Sequence, residues 1–391
     1  SMQQRMRMHS LVFLLLMLPW TDGDALRRPR NGEKEEKSLQ AESDSESAAE
    51  DSDPPFNWLS LALLSTSSDY LLPPLTSPSL SGYDSLCTRL HGLNPFQRAI
   101  CAAQPFTIPF VSRGIRDSIY ECQVQFRYER WNCSDRHEIT NTTSGPFHDI
   151  LGKTLRATTK EAAFLTAIAS AGIVHGVTRG CNTGNLTECG CDSKPALQKH
   201  TEMVEVTPSS GPRPDHFSWG GCSDNVAYGV KFARRFLDEF ERTQFDKNRN
   251  VRHLVSIHNH FVGREAIAQN IRKQCRCHGV SGSCEFRTCW LQMPKMADVA
   301  ELLKKRYDHF AVQVTRRAKK RLRRKERSER QQPIRGNEMA YVHRSPTYCE
   351  RNDSYGILGT SGRECVHNSL NVDSCDLLCC GRGFNTRIER R

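Results

Sequence analysis

Residues 159–181 read TKEAAFLTAIASAGIVHGVTRGC, and this stretch decides the fold of the chain. Its apolar side chains recur at the three- and four-residue steps of an α-helix. Few polar residues interrupt the pattern, which is typical of a helix buried inside a protein core. The apolar positions are Phe164, Leu165, Ile168, Ile173, Val174 and Val177.

Four further stretches have the same periodicity and predict helices over residues 111–126, 226–240, 254–271 and 299–310. Asp224 precedes the second of them and is its predicted N-cap. The fold class is therefore a mainly α N-terminal domain with cysteines at helix ends and in loops. The apolar positions are Val111, Ile115, Ile119, Cys122 and Phe126; Val226, Val230, Ala233, Leu237 and Phe240; Leu254, Phe261, Ile267 and Ile271; and Val299, Leu302, Leu303 and Phe310.

The cysteines and the N-terminus predict a secreted, extracellular protein. All 17 cysteines fall between Cys87 and Cys380, a density typical of a disulfide framework made in an oxidising compartment. Residues 1–25 have basic residues, a short apolar run and small residues at a cleavage site, as a signal peptide does. Asn-x-Ser/Thr sequons predict glycosylation at Asn132, Asn141, Asn185 and Asn352.

Composition divides the rest of the chain. Residues 26–86 begin acidic and then turn Ser/Leu/Pro-rich, which predicts a disordered leader. The helical domain is expected over 87–315 and a basic linker over 316–335. Residues 336–391 are Gly-rich and cysteine-dense without sustained periodicity, and predict a small module of loops and β-hairpins.

The basic run predicts a polyanion-binding surface. Arg316–Arg330 holds ten basic and two acidic residues, so that +8 of the net charge of +11 lies there. Secretion favours sulfated glycosaminoglycans, namely heparan sulfate, over nucleic acid; a solvated linker or protease-sensitive loop is the alternative. The candidate heparan-sulfate residues are Arg316, Arg317, Lys319, Lys320, Arg321, Arg323, Arg324 and Lys325.

The segment CRCHGVSGSC, residues 275–284, admits three interpretations. A zinc site is disfavoured because such sites more often use repeated C-x₂-C pairs and because secreted thiols oxidise. A catalytic Ser281 is disfavoured because Ser283 replaces the last glycine of the G-x-S-x-G elbow and His278 has no evident acidic partner. No metal ligand and no catalytic residue is therefore assigned.

The third interpretation is a stapled hairpin. If Cys277 pairs with Cys284 and Cys275 with Cys289, two nested bridges close the loop. Gly279 and Gly282 would then permit positive φ at the tip. Ser281 would be exposed on a rigid finger, as an acceptor for a modification.

The same residues resemble the signature of Wnt proteins, a family of secreted, lipid-modified signalling ligands. CRCHGVSGSCEFRTCW matches it, and five other blocks occur in family order from about Cys87 to Arg391. The acidic leader lies outside the resemblance. The other blocks are ECQVQFRYERWNC, TKEAAFLTAIASAGIVHGVTRGC, WGGCSDNVAYG, SPTYC and DLLCCGRGFNT.

The resemblance implies a ligand of Frizzled receptors that has no enzymatic activity. By it, an endoplasmic-reticulum O-acyltransferase esterifies Ser281 with palmitoleate, and the lipid enters a groove on the receptor's cysteine-rich domain. Ser283 is implied to be structural, as a hairpin hydrogen-bond donor. Further implied partners are a low-density-lipoprotein-receptor-related co-receptor and a lipid-carrier protein that acts during secretion. The covalent palmitoleate is the only prosthetic group expected, and nucleic acid is not an expected partner.

The resemblance also implies disulfide pairings. Cys379 has a family partner further towards the C-terminus, in a tail that this sequence lacks, so a truncated Wnt is expected. A secreted serine lipid hydrolase and a truncated, non-signalling or antagonist form are the alternative functions. The implied pairs, beside the two in the hairpin, are Cys122–Cys133, Cys181–Cys189, Cys191–Cys222, Cys349–Cys380 and Cys365–Cys375; we add Cys87–Cys101.

Overall fold

The computed structural model describes residues 56–63, 87–88, 90, 92–134, 150–192, 218–219, 221–284, 287–317 and 321–386. The predicted signal peptide and most of the predicted leader lie outside these residues. The helices within them are α1 (Pro95–Ala103), α2 (Ile108–Gln125), α3 (Ile150–Arg156), α4 (Lys160–Asn182), α5 (Val226–Asn248), α6 (Val251–Ala268), α7 (Met296–His309) and α8 (Cys375–Leu378). The strands are β1 (Ser218–Trp219), β2 (Arg272–Cys277), β3 (Arg287–Gln292), β4 (Ala311–Arg317), β5 (Arg321–Arg324) and β6 (Met339–Tyr341).

Helix α4 is the centre of the fold, as the opening stretch of sequence predicts. It packs against α2, α5, α6 and α7. It is long and apolar enough to cross a bilayer by composition, but its apolar window is wholly buried by the surrounding helices. Since Thr159 caps its N-terminus by accepting a hydrogen bond from the Ala162 amide, α4 starts where the apolar run starts. It is therefore a core helix.

Glycines at the helix crossings let α2 and α6 approach α4 closely. A Cβ on Gly172 would lie 2.2 Å from the carbonyl oxygen of Gly114 in α2, and one on Gly114 would lie 2.0 Å from the Gly172 oxygen. On the other side, a Cβ on Gly263 of α6 would lie 1.9 Å from the Ala167 oxygen. These are backbone atoms, so any side chain at these positions forces the helices apart.

The four other predicted helices are confirmed as α2, α5, α6 and α7. Two predicted core residues are exposed, Phe261 to 42% and Phe310 to 48%. Helix α6 instead buries Val255 and Val262, and a helical spacing of apolar residues is compatible with either set facing the core. Helices α1 and α3 were not predicted, although α1 begins with a capping box between Asn94 and Gln97 that a sequence can reveal.

Part of the predicted disordered leader is folded. Trp58–Leu63 forms a 3₁₀ helix in which Leu59 and Leu61 are 3% and 1% exposed. The Ser112 hydroxyl donates a hydrogen bond of 2.8 Å to the Leu61 carbonyl, which ties this segment to α2. The leader prediction is wrong here. It was based on the surrounding prolines and serines, whereas the burial of a short apolar cluster stabilises this segment.

The described residues of the predicted basic linker, 316–317 and 321–335, are mainly strand and turn. β4 and β5 pair antiparallel with Val314 opposite Arg324, and β6 joins β4 in parallel to give the order β5–β4–β6. Val314 and Ala340 are fully buried against Val251 and Val255 of α6. The linker interpretation fails because Leu322 and Ile334, which lie within the predicted linker, pack against this buried cluster.

The cysteine-rich region after residue 336 has short bridges and turns, as predicted, and it packs directly on the helices. The buried Glu161 carboxylate of α4 accepts hydrogen bonds from the hydroxyls of Tyr307 at 3.0 Å, Ser345 at 2.7 Å and Tyr348 at 2.8 Å. Burial, and then the negative charge of Glu161, raises the pKa values of both tyrosines, which stay protonated donors. This network joins the region to the core.

We predict an acid-sensitive stability that depends on His175. Burial lowers the pKa of this α4 side chain to about 4, with smaller opposing effects of Asp117, which raises it, and of Arg179, which lowers it. The unfolded imidazole binds its proton near pH 6.5, so the unfolded state holds more protons between pH 6.5 and 4. Stability should fall by about 3 kcal/mol as the pH decreases through that window. Denaturant unfolding at several pH values measures it, and an unchanged slope in His175→Gln would contradict it.

Candidate functional site

The segment 275–284 is the turn end of a disulfide-stapled hairpin. β2 and β3 pair antiparallel with Cys275 opposite Cys289, and these two cysteines are bonded to each other. A second bridge joins Cys277 to Cys284 across the turn. Two nested bridges leave the tip few alternative conformations.

The tip presents Ser281 to solvent. The Gly279 amide donates to the Ser283 carbonyl at 2.8 Å, the Gly282 amide to the Gly279 carbonyl at 2.9 Å, and the Ser283 amide to the Val280 carbonyl at 3.1 Å. Ser281 lies at the apex of this turn with φ of 58°, in the left-handed region that few non-glycine residues adopt. Its side chain is exposed, so the hydroxyl is open to an acyl-transferring enzyme.

The two glycines have different roles. Gly282 has φ of 77°, as predicted, whereas Gly279 has φ of −66°. Gly279 is needed for space instead, because a Cβ there would lie 2.0 Å from the Ser283 hydroxyl oxygen. That hydroxyl is buried and has no hydrogen-bond partner within the described chain, so the expectation that it donates in the hairpin is wrong. The backbone of Ser283 makes the hairpin bonds in its place.

Asp224 holds the base of the hairpin. Its amide donates to the Leu291 carbonyl at 2.9 Å, and its carboxylate accepts from the Met293 amide at 2.8 Å and from the Asn182 side chain at 2.7 Å. Burial raises its pKa, and those two hydrogen bonds oppose the shift. The N-cap prediction for Asp224 is wrong, since Asn225 caps α5. The sequence did not reveal that Asp224 holds the hairpin, because its partners are distant from it in the chain.

The arrangement does not favour the zinc or the hydrolase interpretation. All three cysteines of the segment, Cys275, Cys277 and Cys284, are in disulfides, which removes their thiolates as ligands. His278 is exposed, and in the described residues it bonds to neither Ser281 nor a carboxylate. Over the same residues, the one group of side chains spaced for a metal is Cys365, Cys375 and Cys379.

A buried His–Asp pair that the sequence did not reveal lies in the core. His260 contacts Asp238 at 3.0 Å, and Arg264 donates two hydrogen bonds to the same carboxylate at 2.8 and 3.0 Å. Burial alone would raise the pKa of Asp238, but His260 and Arg264 outweigh it and lower the pKa. All three are at most 4% exposed. The half-exposed Arg242 lies 4.0 Å from the same carboxylate. We interpret this network as structural, because its three members are buried and bond to one another.

Outside the hairpin, twelve cysteines form six bridges, and these are the pairs expected from the sequence. Cys379 is free; its sulfur lies 3.8 Å from that of Cys365, which is bonded to Cys375. Two of the three sulfurs in the possible metal group are thus in a disulfide. The bridges outside the hairpin are Cys87–Cys101, Cys122–Cys133, Cys181–Cys189, Cys191–Cys222, Cys349–Cys380 and Cys365–Cys375.

The predicted glycosylation sites differ in accessibility. Asn185 and Asn352 are exposed, and Asn132 is half-buried beside the disulfide-bonded Cys133. Asn141 lies outside the described residues. Asn185 and Asn352 are therefore the accessible candidates among the sequons described.

Not all of the basic side chains that were predicted to bind heparan sulfate are exposed to solvent. Arg324 is 5% exposed and donates to Glu338 at 2.6 Å and Glu329 at 3.0 Å, so it is wrong as a heparan-sulfate residue. Arg321 and Lys325 are exposed, and Arg323 is half-buried. The side chains of Arg316, Arg317, Lys319 and Lys320 lie outside the described residues.

Arg324 is expected to matter for stability. Arg324→Ala should lower the free energy of unfolding by about 3–5 kcal/mol, because the buried Glu338 carboxylate loses its charged partner and keeps only the Arg335 amide as a donor. Arg321→Ala removes the same charge from an exposed position of the strand and should cost less than about 0.5 kcal/mol. Denaturant unfolding with disulfides intact measures both; equal effects would contradict the structural role.

Comparison with known proteins gives consistent matches. A model described as the wnt family matches residues 89–391. Protein Wnt-16 of Mus musculus is 43% identical over 300 residues, and that of Bos taurus 41% over 299, each covering 76% of this chain and 78% of the relative. Human WLS in complex with WNT8A matches with 32% identity and a TM-score of 0.45, over 70% of this chain and 77% of that one. The N-terminal domain-linker of Drosophila WntD matches with 20% identity and a TM-score of 0.39, over 62% and 98%.

Proposed function

The chain belongs to the Wnt family, whose members are secreted signalling ligands, and we propose that it binds Frizzled receptors through an acyl chain on Ser281. The observation that carries this proposal is the exposed Ser281 at the apex of a hairpin closed by two disulfides. An acyltransferase needs an accessible hydroxyl, and a receptor groove needs the lipid at a fixed place. The hairpin offers both.

The energetics favour a lipid as the main contact. A sixteen-carbon chain could contribute on the order of 10 kcal/mol when buried, before ordering costs. The tip offers Val280, which is 85% exposed and is the one exposed large apolar side chain among the described hairpin residues. A receptor groove would therefore gain most of its affinity from the acyl chain, while the stapled hairpin limits the entropy lost on binding.

Receptor binding by protein from two cell lines tests the proposal. One line has the endoplasmic-reticulum O-acyltransferase and the other lacks it. Protein from the first should bind an immobilised Frizzled cysteine-rich domain, and protein from the second should not. Equal binding by both would contradict the proposal. The carrier protein and the co-receptor are proposed on family membership alone.

We also propose that the exposed part of the basic run binds heparan sulfate. Ion-pairing with a polyanion releases counterions, so affinity falls steeply with salt in proportion to the charges neutralised. Replacing Arg321 and Lys325 with Gln, together with Arg316, Arg317, Lys319 and Lys320, should markedly lower the salt concentration that elutes the protein from heparin. Unchanged elution would place the binding surface elsewhere.

A further inference from the structure

Strand β5 carries the sequence that subtilisin-like proprotein convertases recognise. These proteases of the secretory pathway hydrolyse the bond after the last arginine of Arg-x-Lys/Arg-Arg, and residues 321–324 read RLRR. β5 is an edge strand, because the sheet order in the described residues is β5–β4–β6. Extended segments are readily bound along an edge, and β5 already has that conformation. The bond that the motif designates joins Arg324 to Lys325.

Two contacts keep a protease from this bond. The Arg324 guanidinium donates to both carboxylate oxygens of Glu338, at 2.6 and 2.7 Å, and Arg324 is 5% exposed. The Lys325 amide donates to the Gln313 carbonyl of β4 at 2.9 Å. A protease must take the Arg324 side chain into its specificity pocket, so cleavage requires that this arginine first leave Glu338. Arg321, the first arginine of the motif, is exposed.

The disulfides leave β5 between two separately bridged parts of the chain. Six bridges join cysteines up to Cys289, and two join cysteines from Cys349 onward. None of these eight bridges crosses residues 290–348, which include β5. A single cut in β5 therefore divides the chain into two fragments that no disulfide of the described chain joins.

Packing holds the two parts together without a covalent link. β6 lies after β5 in the chain and pairs with β4, which lies before it, and Met339 and Ala340 of β6 are fully buried. The Glu161 carboxylate of α4 accepts hydrogen bonds from Ser345 and Tyr348. A cut chain should thus stay assembled under native conditions and separate in denaturing detergent.

We propose that Arg324–Lys325 is a processing site for a proprotein convertase and that the Arg324–Glu338 ion pair controls its cleavage. Water adds across the amide bond, which leaves a carboxylate on Arg324 and an amine on Lys325. Glu338 can hold Arg324 only after the segment that precedes β6 has docked beside β5. Because proteolysis of a closed site follows the population of its open form, undocked chains are cut and docked chains stay intact.

Digestion of the purified full chain tests the proposal. Wild type and Glu338→Gln are incubated with a purified proprotein convertase, and the products are followed on non-reducing denaturing gels. Glu338→Gln removes the charge that holds Arg324, so this variant should be cut at least about tenfold faster. Glu301→Gln removes the same charge from an exposed position of α7 and should be cut as slowly as wild type. Mass spectrometry should place the new N-terminus at Lys325.

A second variant separates controlled cleavage from general unfolding. Glu338→Gln/Arg321→Ala has the same broken ion pair but lacks the exposed first arginine of the motif, so it should be cut no faster than wild type. Equal cleavage of Glu338→Gln and wild type, or cleavage of neither, would overturn the role of Glu338. Undiminished cleavage of the double variant, or a new N-terminus elsewhere, would overturn the convertase site. These readouts do not depend on acylation of Ser281, so the proposed function is tested separately.

Discussion

Ser281→Ala should remove acylation and lower affinity for the Frizzled cysteine-rich domain at least about a thousandfold, or ~4 kcal/mol. The loss follows from the acyl chain, whose burial could contribute on the order of 10 kcal/mol before ordering costs. The fold should be unchanged, because the side chain is exposed and the tip hydrogen bonds are made by the backbone of its neighbours. Receptor-domain binding and a thermal unfolding curve measure the two effects.

Ser283→Ala is the matched control. It removes the same atom two residues away, from a hydroxyl that is buried without a hydrogen-bond partner within the described chain. Losing such a group should cost nothing or stabilise slightly, so this variant should be acylated and bind receptor as the wild type does. Wild-type binding by Ser281→Ala, or equal loss in both variants, would contradict the assignment of Ser281.

Gly172→Val should prevent the protein from folding to a secretable state. The new Cβ would lie 2.2 Å from the Gly114 carbonyl oxygen, and backbone cannot yield as a flexible side chain can. Separating α2 from α4 also opens the core around them, so we expect a loss of at least about 3 kcal/mol. That is a large part of the stability of a typical domain.

Secreted yield and thermal unfolding measure this effect. Gly190→Ala is the control, because Gly190 is exposed and a Cβ there would meet nothing within 4 Å. It should be secreted at the wild-type level. A Gly172→Val variant that is secreted equally well would contradict the close approach of α2 and α4.

The helical part of the fold could be predicted because its signal is local. The apolar residues of α4 recur at helical spacing and few polar residues interrupt them, which predicts a helix that is buried on every side. The structure buries most of its residues. Periodicity alone could not tell which apolar residues of one helix are the most buried. In α6, Phe261 is exposed and Val255 is buried. Which of them faces the core depends on the crossing of α6 with α4, where Gly263 meets Ala167.

The site was predictable where one segment contains it. The hairpin lies within 21 residues, 272–292, and its cysteines, glycines and serine could be read together. Asp224 and Arg324 were assigned wrongly because their partners are distant in the chain. Asn182 and Met293 meet Asp224, and Glu338 meets Arg324, only after the helices and strands have packed.

Mass spectrometry of the secreted protein tests the central claim most directly. Proteolysis with the disulfides intact gives a peptide that spans the Cys275–Cys289 bridge, and fragmentation after reduction distinguishes Ser281 from Ser283. The account predicts a sixteen-carbon, monounsaturated acyl ester on Ser281 and an unmodified Ser283. A peptide without any acyl group, or with the ester on Ser283, would contradict it.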